Sequence, residues 1–119
     1  VNIRVDTPKV SKRRARQALA PNVIHSLDAS MMMETVRIGK AAGIESWAMV
    51  HDSYATTAAD AALLFAALRE AAIGIFSVDQ LARLRDEFQA QLPDVELPAI
   101  PKFGTFDIED VRHSHYFFC

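Results

Sequence analysis

Between Ser46 and Thr56 the chain reads SWAMVHDSYAT. An apolar run stops at His51-Asp52 and gives way to Ser, Tyr, Ala and Thr. The stretch spells strand, tight turn, strand, with a carboxylate at the end of what reads as a buried strand. Burying a carboxylate is costly unless something positive offsets it. A metal ion, a basic partner or plain solvent at a strand end would each do so. Composition alone favours the simplest solution, in which turn amides satisfy Asp52, because such turns are common.

Helical patterns flank this hairpin. Ile24, Leu27, Met31, Thr35, Ile38 and Ala42 recur at steps of three and four, one face of a long helix. Pro21 stands where a first helical residue would, and Gly43 is a good terminator. Ala61, Leu64, Phe65, Leu68, Ala72, Ile75 and Phe76 form a second stripe, with Thr57 and Asp60 as a capping box. Leu81, Leu84, Phe88 and Leu92 form a third, opened by a Ser77-Gln80 box and followed by Pro93. ELPAIPKFGTF is extended, because its prolines forbid a helix interior, and DIEDVRHS reads as one last short helix. At the start, VNIRV alternates as a half-buried strand does, and DTPKVSKRRAR reads as a basic connector. The strand begins with no leading loop, as in a chain cut from something larger. The pattern predicts an α+β fold, a hairpin packed with three main helices. Residues 1–19 form the strand and connector, and residues 20–119 form the body.

Half the residues are apolar, enough for the core of one small domain of 119 residues. No apolar run approaches the length that spans a bilayer, and the start lacks the apolar core of a signal peptide. The single cysteine, Cys119, permits no internal disulfide, so a reducing compartment is expected. The net charge of -2 hides an asymmetry: KVSKRRAR carries Lys9, Lys12, Arg13, Arg14 and Arg16 with no acid among them. Such a block suits a polyanion such as nucleic acid, although charge alone favours a solvated turn or helix face.

Three groups bear chemistry. Asp52, on a tight turn, is placed as a hard oxygen ligand for Mg²⁺, which favours one or two carboxylates plus substrate phosphates. His25 and Asp28 share one helix face off the apolar stripe, and either bind a ligand or face water. His113, His115 and Cys119 offer zinc-type donors but no evident fourth ligand, and neighbouring Phe117 and Phe118 suggest packing. A hydrolase built on HDS is weaker, because side chains adjacent on a strand point to opposite faces.

Four blocks occur together in order: APNVIHSLDAS, GIESWAMVHDSYAT, ADAALLFAALRE and IPKFGTFDIEDVRHSHYFFC. They resemble the C-terminal end of the phage-type single-subunit RNA polymerases, the group that includes the mitochondrial enzymes. The resemblance runs from Ala20 to Cys119; the basic stretch before it matches poorly. It implies that HDS is motif C of a polymerase palm. Asp52 is then one of two catalytic aspartates that hold Mg²⁺ for nucleotidyl transfer, and His51 lies near the primer end. His25 is then a residue that reaches the minor groove of the template-product duplex. HYFFC resembles an aromatic C-terminal foot near the active site, here ending in Cys119 where relatives carry a small residue. The family's second aspartate and its nucleotide-handling lysine and tyrosine lie upstream of these blocks and are not in this sequence.

The implied function is the C-terminal palm portion of a DNA-directed RNA polymerase, a nucleotidyltransferase. Its partners are the DNA template and RNA product duplex, nucleoside triphosphates and the remaining polymerase chain, with no membrane. By itself the chain is expected to be inactive, to expose apolar surface and to self-associate. The compartment is the cytoplasm of a phage-infected or bacterial cell, or a mitochondrion. Lys12, Arg13 and Arg14, with His25, also fit a non-catalytic nucleic-acid-binding module. A metal-dependent hydrolase comes third.

Overall fold

Gly43, with φ of 101°, ends the longest element of the chain. The computed structural model describes residues 9–117. Helix α1 runs Lys12–Ala41. Past its cap, the Gly43 amide donates to the Lys40 carbonyl at 3.1 Å and the Ile44 amide to the Gly39 carbonyl at 3.0 Å. That pair of bonds is a Schellman closure, which needs a left-handed residue such as glycine between them. It drives Ile44 into the core, where it is 1% exposed.

Strands β1 (Ala48–Val50) and β2 (Ser53–Ala55) then form an antiparallel hairpin. A 3₁₀ turn at Ala58–Asp60 leads into α2 (Ala61–Phe76), and α3 (Gln80–Gln91) follows. Pro93 lies just beyond α3, the following segment has no helix or ladder, and a 3₁₀ helix at Ile108–His113 closes the order. The α+β expectation holds, with a small hairpin packed against helices.

The core joins α1 to α2. Met31, Ile44, Leu64, Leu68, Ala71 and Ala72 form one buried cluster, and Ile38, Trp47, Tyr54, Ile75 and Phe117 pack against it. Burying one of its large apolar side chains contributes about 1.5–3 kcal/mol. Thr35 interrupts the apolar stripe and is fully buried; its hydroxyl donates to the Met31 carbonyl at 2.8 Å, so no polar atom is stranded. Gly39 is equally specific: a Cβ there would lie 2.4 Å from the Trp47 ring.

Several local expectations need correction. Pro21 lies inside α1 rather than at its first position. The KRRARQALA segment is rich in strong helix formers, and Ser11 caps it by accepting from the Arg14 amide at 3.4 Å. One missing N–H does not outweigh that, so Lys12 to Leu19, expected in a connector, are helical. Thr57 caps no amide; its hydroxyl donates to the Asp60 carboxylate at 2.8 Å, because a 3₁₀ turn intervenes. Ser77 caps the end of α2, while Asp79, not Ser77, opens α3 by accepting from the Ala82 amide at 2.8 Å.

The third stripe finds no core: α3 has no buried residue, and Leu81 and Leu92 are half exposed. The strand before Asp52 is not buried either, since Val50 is 68% exposed. The radius of gyration is 18.7 Å, against about 13–14 Å for a compact chain of this length. Among the described residues no single helix is long and apolar enough to cross a membrane. The VNIRV strand, Phe118 and Cys119 lie outside the described residues.

Candidate catalytic cleft

Residues Val50 and Ser53 pair across the hairpin, which leaves His51-Asp52 as a two-residue loop. Such loops need positive φ at the first position, usually met by Gly or Asn. Here His51 meets it, at φ 55°. A non-glycine residue held there costs about 1–3 kcal/mol and persists only where its surroundings enforce it. At the base of the hairpin the Thr56 hydroxyl donates to the Ser46 carbonyl at 2.7 Å and ties the two arms together. Strand alternation then sorts the side chains. Ala48, Val50, Ser53 and Ala55 are exposed, whereas Met49 and Tyr54, cross-strand partners, are half-buried on the other face.

That inner face and α1 enclose a concavity of about 630 Å³ lined by His25, Asp28, Ala29, Met32, Met49, His51 and Asp52. His25, Asp28 and Met32 come from successive turns of α1. Three of the sequence-predicted site residues, His25, His51 and Asp52, therefore meet, and Asp28 meets them. Tyr54 stands behind the cleft. Burial pushes its phenol above the usual range, and the nearby Asp28 and Asp52 carboxylates push it the same way. The ring is thus kept neutral beside two acids, one from the helix and one from the turn. Period-two spacing from Asp52 is the sequence signal that points to Tyr54.

The basic residues stand apart. Lys12, Arg13 and Arg16 line a separate shallow concavity with Gln17. Lys12 is thirteen residues before His25, about 20 Å along the helix axis. Arg14 is eleven residues before His25, about three turns, and so points to the same side of α1 as the cleft. All of Lys12 to Arg16 are exposed.

Among the described residues no three His, Cys, Asp or Glu side chains converge closely enough to hold a metal ion. That applies to the cleft and to His113 and His115, both exposed. The cleft fits half of a Mg²⁺ site: one carboxylate, Asp52, on a tight turn, and open room for the waters and phosphates that Mg²⁺ keeps in its shell.

Comparison with known proteins identifies the family. Residues 1–96 match the family model described as DNA-dependent RNA polymerase. The chain is 42% identical over 113 residues to DNA-directed RNA polymerase 1A of Nicotiana tabacum, covering 95% of this chain and 72% of that relative. It is also 42% identical over 113 residues to mitochondrial DNA-directed RNA polymerase 1 of Nicotiana sylvestris and to that of Arabidopsis thaliana. There it spans only 11% and 12% of the relatives' lengths. No solved structure matches.

Proposed function

The chain belongs to the DNA-dependent RNA polymerases of the phage-type, single-subunit kind, and from that premise we propose that it is the C-terminal palm portion of such an enzyme. The convergence of His25, Asp28, His51 and Asp52 on one cleft carries this reading. On it, the hairpin is motif C and Asp52 is one of two aspartates that would hold Mg²⁺, the other belonging to the rest of the polymerase. Bound Mg²⁺ would supply charge stabilisation to the transferring phosphate and its flanking oxygens.

The chain's own residues do the positioning. The two-residue turn holds Asp52 rigidly at the mouth of the cleft. His51, held by backbone geometry, presents its imidazole at the same edge, facing the primer end. His25 donates a hydrogen bond from α1 toward minor-groove acceptors, which present a similar pattern in every base pair and so report duplex shape rather than sequence. Arg14, on the same side of α1, and Lys12 and Arg13 beyond it neutralise backbone phosphates. The substrates are nucleoside triphosphates, and the partners are template, product duplex and the rest of the polymerase chain. The names of the Nicotiana sylvestris and Arabidopsis relatives assign them to mitochondria, which supports the mitochondrial option for this chain.

One carboxylate without a closed ligand set binds Mg²⁺ weakly by itself, so the chain alone is expected to make no RNA. The test is Asp52→Asn in the full-length polymerase. The amide keeps the size and loses the charge, so nucleotide addition should vanish while promoter binding stays largely intact. Normal elongation by that variant would remove Asp52 from the metal site.

A further inference from the structure

Arg69, midway along α2, gathers more distant groups than any other cation described. Its guanidinium donates to the Ser114 carbonyl at 2.8 Å and to the Phe65 carbonyl at 3.0 Å. The same group lies over the Phe65 ring at 5.4 Å and over the Phe117 ring at 5.9 Å. A planar fork with two flat faces can make all four contacts together; an ammonium cannot. The next residue, Glu70, pairs instead with Arg112, on the 3₁₀ helix ahead of Ser114 and Phe117. Phe117, held this way, packs on the same buried cluster as Tyr54. Tyr54 in turn pairs with Met49 of the cleft wall and stands two residues from Asp52. Close-packed interiors transmit displacement, so the cluster links the tail to the turn.

We propose that Arg69 is a positioning residue for the catalytic turn: it pins the C-terminal segment to α2 through Ser114 and Phe117, and the seated Phe117 braces the cluster on which Tyr54 holds the Asp52 hairpin in place. This rests on Asp52 being the metal ligand of the polymerase. Arg69 touches neither substrate nor metal in this scheme. Its effect reaches the chemistry only through packing.

The experiment uses the full-length polymerase carrying this region, with Arg69→Ala, Arg69→Lys and Glu70→Gln. Hydrogen exchange of residues 114–117 and primed RNA synthesis over a MgCl₂ series are measured on each. In Arg69→Ala the tail amides should exchange about tenfold faster and kcat should fall about tenfold, since small misplacements at a reacting centre are costly. The KM for nucleotide should hold, and half-maximal activity should need more Mg²⁺. Arg69→Lys should fall between Arg69→Ala and the parent, because it keeps one hydrogen bond and loses both ring faces. Should Arg69→Ala fail to fold, Arg69→Lys carries the same comparison. Glu70→Gln should leave kcat and the Mg²⁺ requirement near those of the parent. Faster tail exchange with unchanged kcat and Mg²⁺ requirement would overturn the proposal, as would unchanged exchange. A Glu70→Gln enzyme as impaired as Arg69→Ala would also overturn it, by making the effect one of general loosening. Failure of the Asp52 reading shows separately, in Asp52→Asn elongation, and leaves the exchange result standing.

Discussion

The two halves of α1 share one helix and one apolar stripe, yet they live in different surroundings. In the C-terminal half, Met31 is 7% exposed, Thr35 is 0%, and Gly39 lies against Trp47. In the N-terminal half, Ile24 on the same stripe is 56% exposed, and everything from Lys12 to Asn22 is exposed. The helical period names the face that wants burial. It does not name what buries it. The C-terminal half meets α2 of its own chain. The N-terminal half, like α3 with Leu81 and Leu92 exposed, leaves its stripe largely uncovered among the described residues.

This contrast can be broken most directly by truncating the stripe at both ends. Met31→Ala should cost about 2–5 kcal/mol in chemical denaturation, as truncation of a buried methionine usually does. Ile24→Ala should stay within about 0.5 kcal/mol, as surface changes do. An equal loss at Ile24, shrinking on dilution, would mean that the exposed half is covered by a second copy of the chain.

A smaller effect is expected where the halves differ in space rather than apolarity. Gly39→Ala forces a methyl into the Trp47 ring and should destabilise by about 1–3 kcal/mol. Gly74, in α2, has nothing within 4 Å of an added Cβ. Gly74→Ala should therefore stabilise by about 0.5–1 kcal/mol through helix propensity. Destabilisation at both positions would deny that the α1–α2 contact is tight on one side only.

Tyr54 sharpens the comparison through pH. Its phenol is raised in the folded state, by burial first and by Asp28 and Asp52 after it, so the unfolded chain loses that proton earlier. Stability should be level below the ordinary phenol value of 10.0 and fall as pH rises through the folded pKa. Tyr54→Phe should flatten the alkaline limb of a stability-pH series, and an unchanged limb would place the phenol in open solvent.

The smallest effect on folding belongs to the exposed end of α1. Replacing Lys12, Arg13 and Arg14 together with Ala should leave the unfolding midpoint nearly unmoved. In the full-length polymerase it should weaken DNA binding and reduce the slope of log affinity against log salt by about 0.9 for each phosphate no longer neutralised. An unchanged slope would leave these residues as a solvated helix face.

Much of this is written locally in the chain. The helical stripes, the Gly43 stop, the hairpin around His51-Asp52 and the short last helix follow from periodicity, positive-φ tolerance and turn chemistry, all properties of neighbouring residues. The ordered blocks around His25 and Asp52 are equally local, and they point to the polymerases without any geometry. Tertiary structure decides the rest. Pro21 falls inside a helix because strong formers before it outweigh one lost hydrogen bond, a balance that single-residue preferences do not weigh. Asp79 displaces Ser77 as a cap because the end of α2 claims Ser77 first. His25 and Asp52, twenty-seven positions apart in sequence, line one cleft only because Ile44 and Trp47 fold the hairpin back onto α1. Arg69 reads in the sequence as one more charge on a helix, and its grip on Ser114 and Phe117 depends on where the C-terminal segment returns. Periodicity encodes which side of an element avoids water. Which partner covers that side is set by long-range packing, and in α3 and the first half of α1 no described residue is fully buried.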